Sequence, residues 1–181
     1  MRDVSIRPVV QGDLPALLDI YNYYVVNTPI TFDLEPRTLA QRQVWLDSFM
    51  PTGRHQCFVA LREGVPIGWA CSGKFREKAA YDTTVELSVY LAPDRHGKGL
   101  GKRLYRTIID ALQGEDIRRL YGGITQPNAA SVALHLAFGF RLVGTQNEVG
   151  RKFGKFWDVA LYERPLAWAP SRQGDFTADA S

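Results

Sequence analysis

Glu86 interrupts the alternating run Thr84-Val85-Glu86-Leu87-Ser88-Val89-Tyr90-Leu91. A carboxylate buried there without a partner is costly, so it either faces solvent or is kept to move a proton. Soon after it comes Gly97-Lys98-Gly99-Leu100-Gly101, with Arg95, Lys102 and Arg103 close by. Glycine lets a backbone approach a ligand closely, and a helix start offers unpaired amides and a positive dipole end. That combination suits phosphate oxygens; the alternative is a tight turn that simply needs glycine. A Walker loop is excluded because Arg103 follows Lys102, and a dinucleotide fingerprint because position 102 is Lys where a third glycine is needed. Beside a phosphate-binding turn, Glu86 reads as a general base at the reacting end of a bound cofactor.

The surrounding pattern supplies the elements that must hold these groups. Val4 to Arg7 reads as a strand closed by Pro8, and Asp13 as the cap of a helix carrying Leu14, Leu17, Leu18, Tyr21 and Tyr24. Thr38 caps a second helix through Trp45 and Phe49. Runs 57–62 and 66–73 form a hairpin around Glu63-Gly64, and residues 75–83 read as a loop. Thr84 to Ala92 is a strand with Val85, Leu87, Val89 and Leu91 on one face and Glu86, Ser88 and Tyr90 on the other. The helix after the glycine turn buries Leu104, Tyr105, Ile108, Ile109 and Leu112. Leu120 to Thr125 is a strand, Asn128 caps a helix that Gly139 stops, and strands near 140–148 and 156–163 finish the pattern. The order describes a single α/β domain, a mixed sheet with helices on both faces. From about residue 168 the composition turns aperiodic and reads as a mobile tail.

Composition removes several classes of function. The 181 residues, 45% hydrophobic, suit one domain with a sizeable core. No apolar run spans a membrane and no secretory signal opens the chain, so the expectation is cytoplasmic. A net charge of +3, spread without blocks, gives little support for nucleic-acid binding. His55, His96 and His135 lack metal-ligand spacing, so no metal is expected. A two-residue hairpin loop would set Cys57 opposite Ala70 and turn Cys57 and Cys71 to opposite faces, whereas a longer loop would pair them. Both read as reduced core residues.

Several blocks together resemble a family. Val85 to Leu91, His96 to Gly101, Asn128-Ala129-Ala130-Ser131, and His135 before Gly139-Phe140 are similar to the GCN5-related N-acetyltransferases (GNAT). The closing segment Glu148 to Val159, with Phe75-Arg76, Tyr81 and Thr84, resembles the branch that acetylates phosphinothricin, methionine sulfone and methionine sulfoximine. The likeness covers about residues 4–166. It implies a mostly antiparallel GNAT-like sheet, one acetyltransferase domain over 1–166 with a tail at 167–181, acetyl-CoA as co-substrate, and a homodimer.

The resemblance also implies roles. The amides of His96, Gly97, Lys98, Gly99, Leu100 and Gly101 would hold the pyrophosphate. Val89, Tyr90 and Leu91, at a bulge in their strand, would bond the pantetheine arm and polarise the thioester carbonyl. Asn128 would reach the cofactor or serve as a plain cap. Glu86 would deprotonate the acceptor ammonium, and the amine would attack directly. His135 stands where many members have Tyr; it would protonate the leaving thiolate, bond the cofactor, or only pack in the core. His96 stands where Gln or Arg is usual. Arg76 and Lys152 would meet an acceptor anion, or remain solvated loop charges, while Phe32, Phe75, Tyr81 and Thr84 shape the pocket. The implied reaction is acetylation of the α-amine of a small amino acid or analogue. Acetylation of a protein N-terminus or a polyamine, and a non-catalytic CoA-binding sensor, are the alternatives.

Overall fold

The computed structural model describes residues 4–95 and 99–166, so the expectations for His96, Gly97, Lys98 and the tail from 167 lie outside the described residues. Strand β1 (Val4–Pro8) leads into helices α1 (Leu14–Asn27) and α2 (Leu39–Leu46). The hairpin β2 (Cys57–Arg62) and β3 (Val65–Lys74) precedes β4 (Thr84–Leu91), α3 (Leu100–Ala111) and β5 (Arg119–Thr125). Helix α4 (Ala129–Ala137) and the hairpin β6 (Arg141–Lys152) and β7 (Lys155–Pro165) follow.

The helix starts are set by local chemistry. Thr38 accepts from the amide of Gln41 at 3.3 Å while Gln41 Oε1 accepts from the amide of Thr38 at 3.0 Å, a reciprocal cap. Helix α2 then stops at Leu46, short of the expected Phe49. Asp13 precedes α1 but does not cap it. Its buried carboxylate instead takes two bonds from Arg7, at 2.7 and 2.8 Å, and one from the amide of Val10 at 2.9 Å. A charged partner outweighs an exposed cap at a position where the carboxylate is out of water.

Among the described residues, seven strands form one sheet in the order β1-β2-β3-β4-β5-β7-β6. Every neighbouring pair is antiparallel except β4–β5, which is parallel and short. Only Thr84–Glu86 pairs with Arg119–Tyr121; beyond Glu86, β4 stays with β3 to Leu91 and β5 stays with β7 to Thr125. The sheet therefore splits into two wings that part at Glu86. Its last hairpin is longer than expected: β6 runs on to Lys152, turning at Phe153-Gly154, both at positive φ.

Packing fills both faces. Helix α3 buries Leu104, Tyr105, Ile108 and Ile109 against Val85, Leu87, Leu91, Leu120 and Ile124. On the other face α1 lays Leu17, Ile20 and Tyr24 on Val59 and Trp69. Cys57 and Cys71 are free and buried, and they stand directly opposite one another. The loop is Glu63-Gly64, both at positive φ, yet the expected Cys57–Ala70 register is wrong. Between Ala60–Gly68 and Leu61–Pro66 the register shifts, so Ile67 is an extra residue on β3 and every pairing beyond it moves by one.

Candidate active site

The parting of the wings exposes one edge of β4. Ala92 donates its amide to Ile67 O on β3, so alternation turns the backbone groups of Leu91 and Val89 the other way, into the gap. Tyr24 reaches Leu91 O on that side with its hydroxyl, at 2.7 Å. No register shift against β3 interrupts β4, so the bulge expected near Val89 and Leu91 is absent there. Loss of the β5 partner is enough to free the edge. A cavity of about 390 Å³ by β1 and α2 lies away from this gap, whereas one of about 470 Å³ fills it.

The cavity in the gap is lined on one side by Val89, Tyr90 and Leu91 and on the other by Asn128, Ser131 and Leu134 of α4. Its floor carries Gly99, Leu100, Gly101 and Lys102 at the start of α3. Gly99 holds φ +72°, and among the described residues a Cβ there would meet nothing within 4 Å. Unpaired amides at that end, a positive dipole and Lys102 fit a phosphate group. Asn128 caps α4, accepting from the amide of Ser131 at 3.1 Å, while also lining the cavity.

Glu86 sits where the wings separate. Its Oε1 accepts the amide of Gly123 across the gap at 3.2 Å. Burial pushes its carboxyl above the ordinary value; the Gly123 amide and the charge of Arg76 pull the other way without cancelling it. Position 123 borders this carboxylate closely, since a Cβ there would lie 3.0 Å from Glu86 Oε1.

Its neighbour Gly122 faces the opposite side, where a Cβ would lie 2.2 Å from His135 Nε2. Glu86 and His135 thus occupy opposite faces of β5. The imidazole is only 4% exposed. Nδ1 donates to Ser131 O at 2.8 Å, which leaves Nε2 to accept from the Tyr105 hydroxyl at 2.8 Å. Burial lowers its pKa, the Ser131 carbonyl opposing, so the ring is held neutral. Phe140 and Tyr162 close around it.

The residues expected at the acceptor fall into two groups on the Glu86 face. Phe75 stacks on Tyr121 at 4.4 Å and meets Tyr81 edge-on at 6.0 Å. The Arg76 guanidinium lies 5.0 Å from the Phe75 ring and 5.9 Å from the Tyr81 ring, with its charge felt at Glu86. Thr84 shares the face of β4 with Glu86. Phe32 and Lys152 form the second group: Phe32 packs over Gly150, and Lys152 Nζ donates to Thr31 O at 2.7 Å.

Comparison with known proteins identifies the family. The acetyltransferase (GNAT) family matches residues 17–140. A phosphinothricin N-acetyltransferase of Streptomyces coelicolor is 52% identical over 166 residues, covering 91% of this chain and 97% of that protein. An L-methionine sulfoximine/L-methionine sulfone acetyltransferase of Pseudomonas paraeruginosa is 35% identical over 162 residues, 90% of this chain and 94% of its own. A solved phosphinothricin acetyltransferase from Sinorhizobium meliloti, in complex with AcCoA, superposes with a TM-score of 0.85 at 33% identity, covering 94% of each chain. The chain belongs to the GNAT acetyltransferase family.

In this chain the parted β4 edge and the start of α3 are the backbone features that border the cavity. The residues that sequence reasoning missed are partners rather than reagents. Gly123 anchors Glu86, Tyr105 engages His135, and Tyr121 carries Phe75 while donating to Glu163 Oε2 at 2.6 Å. The doublet Gly122-Gly123 inside a strand was the available signal, since glycine there marks a close approach. Nothing comparable marks Tyr105 or Tyr121, whose roles exist only once the strands are paired.

Proposed function

We propose that this enzyme transfers acetyl from acetyl-CoA to the α-amine of a small amino acid or analogue, with Glu86 as general base. The observation that carries the reading is Glu86 itself, a carboxyl raised in pKa by burial at the point where the sheet splits. Acetyl-CoA, when bound, supplies the acetyl group as an activated thioester. Gly99 to Lys102 hold its phosphates, and the freed amides of Val89 and Leu91 bond its arm and polarise the carbonyl. Glu86 takes a proton from the acceptor ammonium, directly or through water. The free amine would then attack the thioester carbonyl; as the C–N bond forms and the C–S bond breaks, CoA leaves as its thiolate, and the second amine proton passes to that sulfur or to water.

His135 acts here as a positioning residue. With both nitrogens engaged in the core, it pins α4, and with it Asn128 and Ser131, against the cavity. Arg76, carried on Phe75 and Tyr81, faces the acceptor's anion near Glu86. The names of the two curated relatives support phosphinothricin, methionine sulfoximine and methionine sulfone as first acceptors. The edge strand β6 leaves Val143, Val149 and the adjoining Phe156 about half exposed, which supports a homodimer through this hairpin.

The test is release of CoA thiol from acetyl-CoA against amino acids, their sulfoximine, sulfone and phosphinate analogues, polyamines and short peptides. Turnover on the amino-acid class is expected. Turnover confined to peptides or polyamines would overturn the acceptor assignment, and binding of acetyl-CoA with no turnover would overturn catalysis.

A further inference from the structure

Lys152 is an odd residue for an anion-binding loop. The residue is 4% exposed, and its ammonium donates to the backbone carbonyl of Thr31 at 2.7 Å and lies 5.1 Å from the Phe153 ring. Burial lowers its pKa, opposed by the charge of Asp33. Two residues earlier on the same face of β6, Gly150 provides a slot: a Cβ there would lie 2.1 Å from the Phe32 ring. Thr31 and Phe32 are consecutive, so β6 grips one short segment of the α1–α2 loop at two points.

The other side of that loop is tied to the opposite wing. Tyr21 of α1 bonds Thr31 Oγ1 at 2.9 Å and donates to Asp33 Oδ2 at 2.8 Å. Arg37 Nε adds a bond to Asp33 at 2.6 Å. Tyr21 itself packs edge-on against Tyr90 of β4, 5.5 Å between centroids. Tyr90 shares the Glu86 face of β4, and Gly150 and Lys152, paired with Trp157 and Lys155, share the corresponding face of the β7 wing. The segment 31–33 thus crosses from one wing to the other on the side where Glu86 waits.

We propose that Lys152 and Gly150 are positioning residues that fasten this segment as a strap over the acceptor cleft, and that Lys152 does not bind the acceptor. The proposal rests on the acceptor lying on the Glu86 face. A buried ammonium donating to a carbonyl holds a loop well, because leaving that carbonyl unpaired is costly. One ammonium N–H is committed to Thr31, and burial of the side chain restricts a ligand's access to the other two. Arg76 is then the cation that reads the acceptor's carboxylate or phosphinate.

The experiment pairs Lys152→Met with Gly150→Ala, whose methyl displaces Phe32 while leaving the ammonium in place. Each is assayed with an amino-acid acceptor and its carboxamide, and amide hydrogen exchange is followed at residues 30–34. Both variants are expected to raise the acceptor KM by about tenfold for acid and amide alike, to keep the KM for acetyl-CoA, and to speed exchange. Arg76→Gln should instead raise KM for the acid alone. A Lys152→Met defect confined to the acid, or unchanged exchange in either variant, would overturn the strap. Exchange is read without any acceptor, so a wrong acceptor class and a wrong strap fail separately. Should Lys152→Met not fold, Gly150→Ala carries the exchange and KM readings by itself.

Discussion

Replacing Glu86 by Gln tests the mechanism at its centre. The amide side chain has nearly the same shape, and its carbonyl oxygen can still accept the Gly123 amide now 3.2 Å away, so the junction of the wings survives. What is lost is the ability to take a proton. Positioned acid–base groups contribute about 10²–10⁴ in rate, so kcat should fall by at least about a hundredfold. At about 1.4 kcal/mol per factor of ten, that is about 2.8 kcal/mol of transition-state stabilisation. Affinity for acetyl-CoA should not change, because the cavity proposed to hold it is not lined by Glu86.

The pH profile gives a second reading of the same variant. In the wild type, activity should rise as Glu86 ionises, with a midpoint above the ordinary glutamate value because burial is the largest influence on it. That limb should vanish in the variant. The sign for stability is opposite to that for activity. A folded-state pKa raised above the unfolded one stabilises the native state below the unfolded pKa, and the contribution is lost as pH rises through the folded pKa. At neutral pH the Gln variant should therefore melt higher than the wild type while turning over far more slowly. Thiol release and a thermal melt measure both. Equal kcat in the two proteins at equal acetyl-CoA affinity would remove Glu86 from the chemistry.

Gly99→Val puts a branched side chain at φ +72°, a strain of about 1–2 kcal/mol, and adds bulk at the start of α3. The dissociation constant for acetyl-CoA, read by calorimetry, should rise at least about tenfold; an unchanged value would dismiss the phosphate assignment. His135→Phe keeps a ring in the core but strands the buried Tyr105 hydroxyl, a cost of about 1–3 kcal/mol. Its kcat should stay within about tenfold of wild type, since loss of a true general acid would cost 10²–10⁴. The native pKa of His135 is lowered, so its contribution is present above the unfolded value and lost as pH falls through the folded one; the variant should lose less stability on acidification. Light scattering should return the mass of a dimer, and a monomer would refute the assignment of the β6 hairpin as an interface.

Much of the site was legible along the chain because its signals are local. The alternation from Val85 to Leu91 placed Glu86 on the face away from the α3 core, and the glycines before Leu100 marked the helix start that borders the cavity. Asn128 announced itself as a cap by type and position, and the cap is there. Sequence blocks were also enough to assign the family, because the glycine turn, the Asn128 segment and the β6–β7 hairpin each impose their own residue pattern.

Pairing decided the rest. One extra residue, Ile67, moved Cys57 opposite Cys71, and no rule of turn length contains that shift. His135 read equally as a thiolate acid, a cofactor partner or a core residue; the alternation of Gly122 and Gly123 sets it on the opposite face of β5 from Glu86, which no pattern within its own helix specifies. Lys152 read as a free cation until its partner, 121 residues away in sequence, was brought to it by folding. Local periodicity specifies which face a side chain takes within its own element. Only the register between elements specifies what that face meets, and a cleft made by two strands parting after Glu86 exists in neither strand alone.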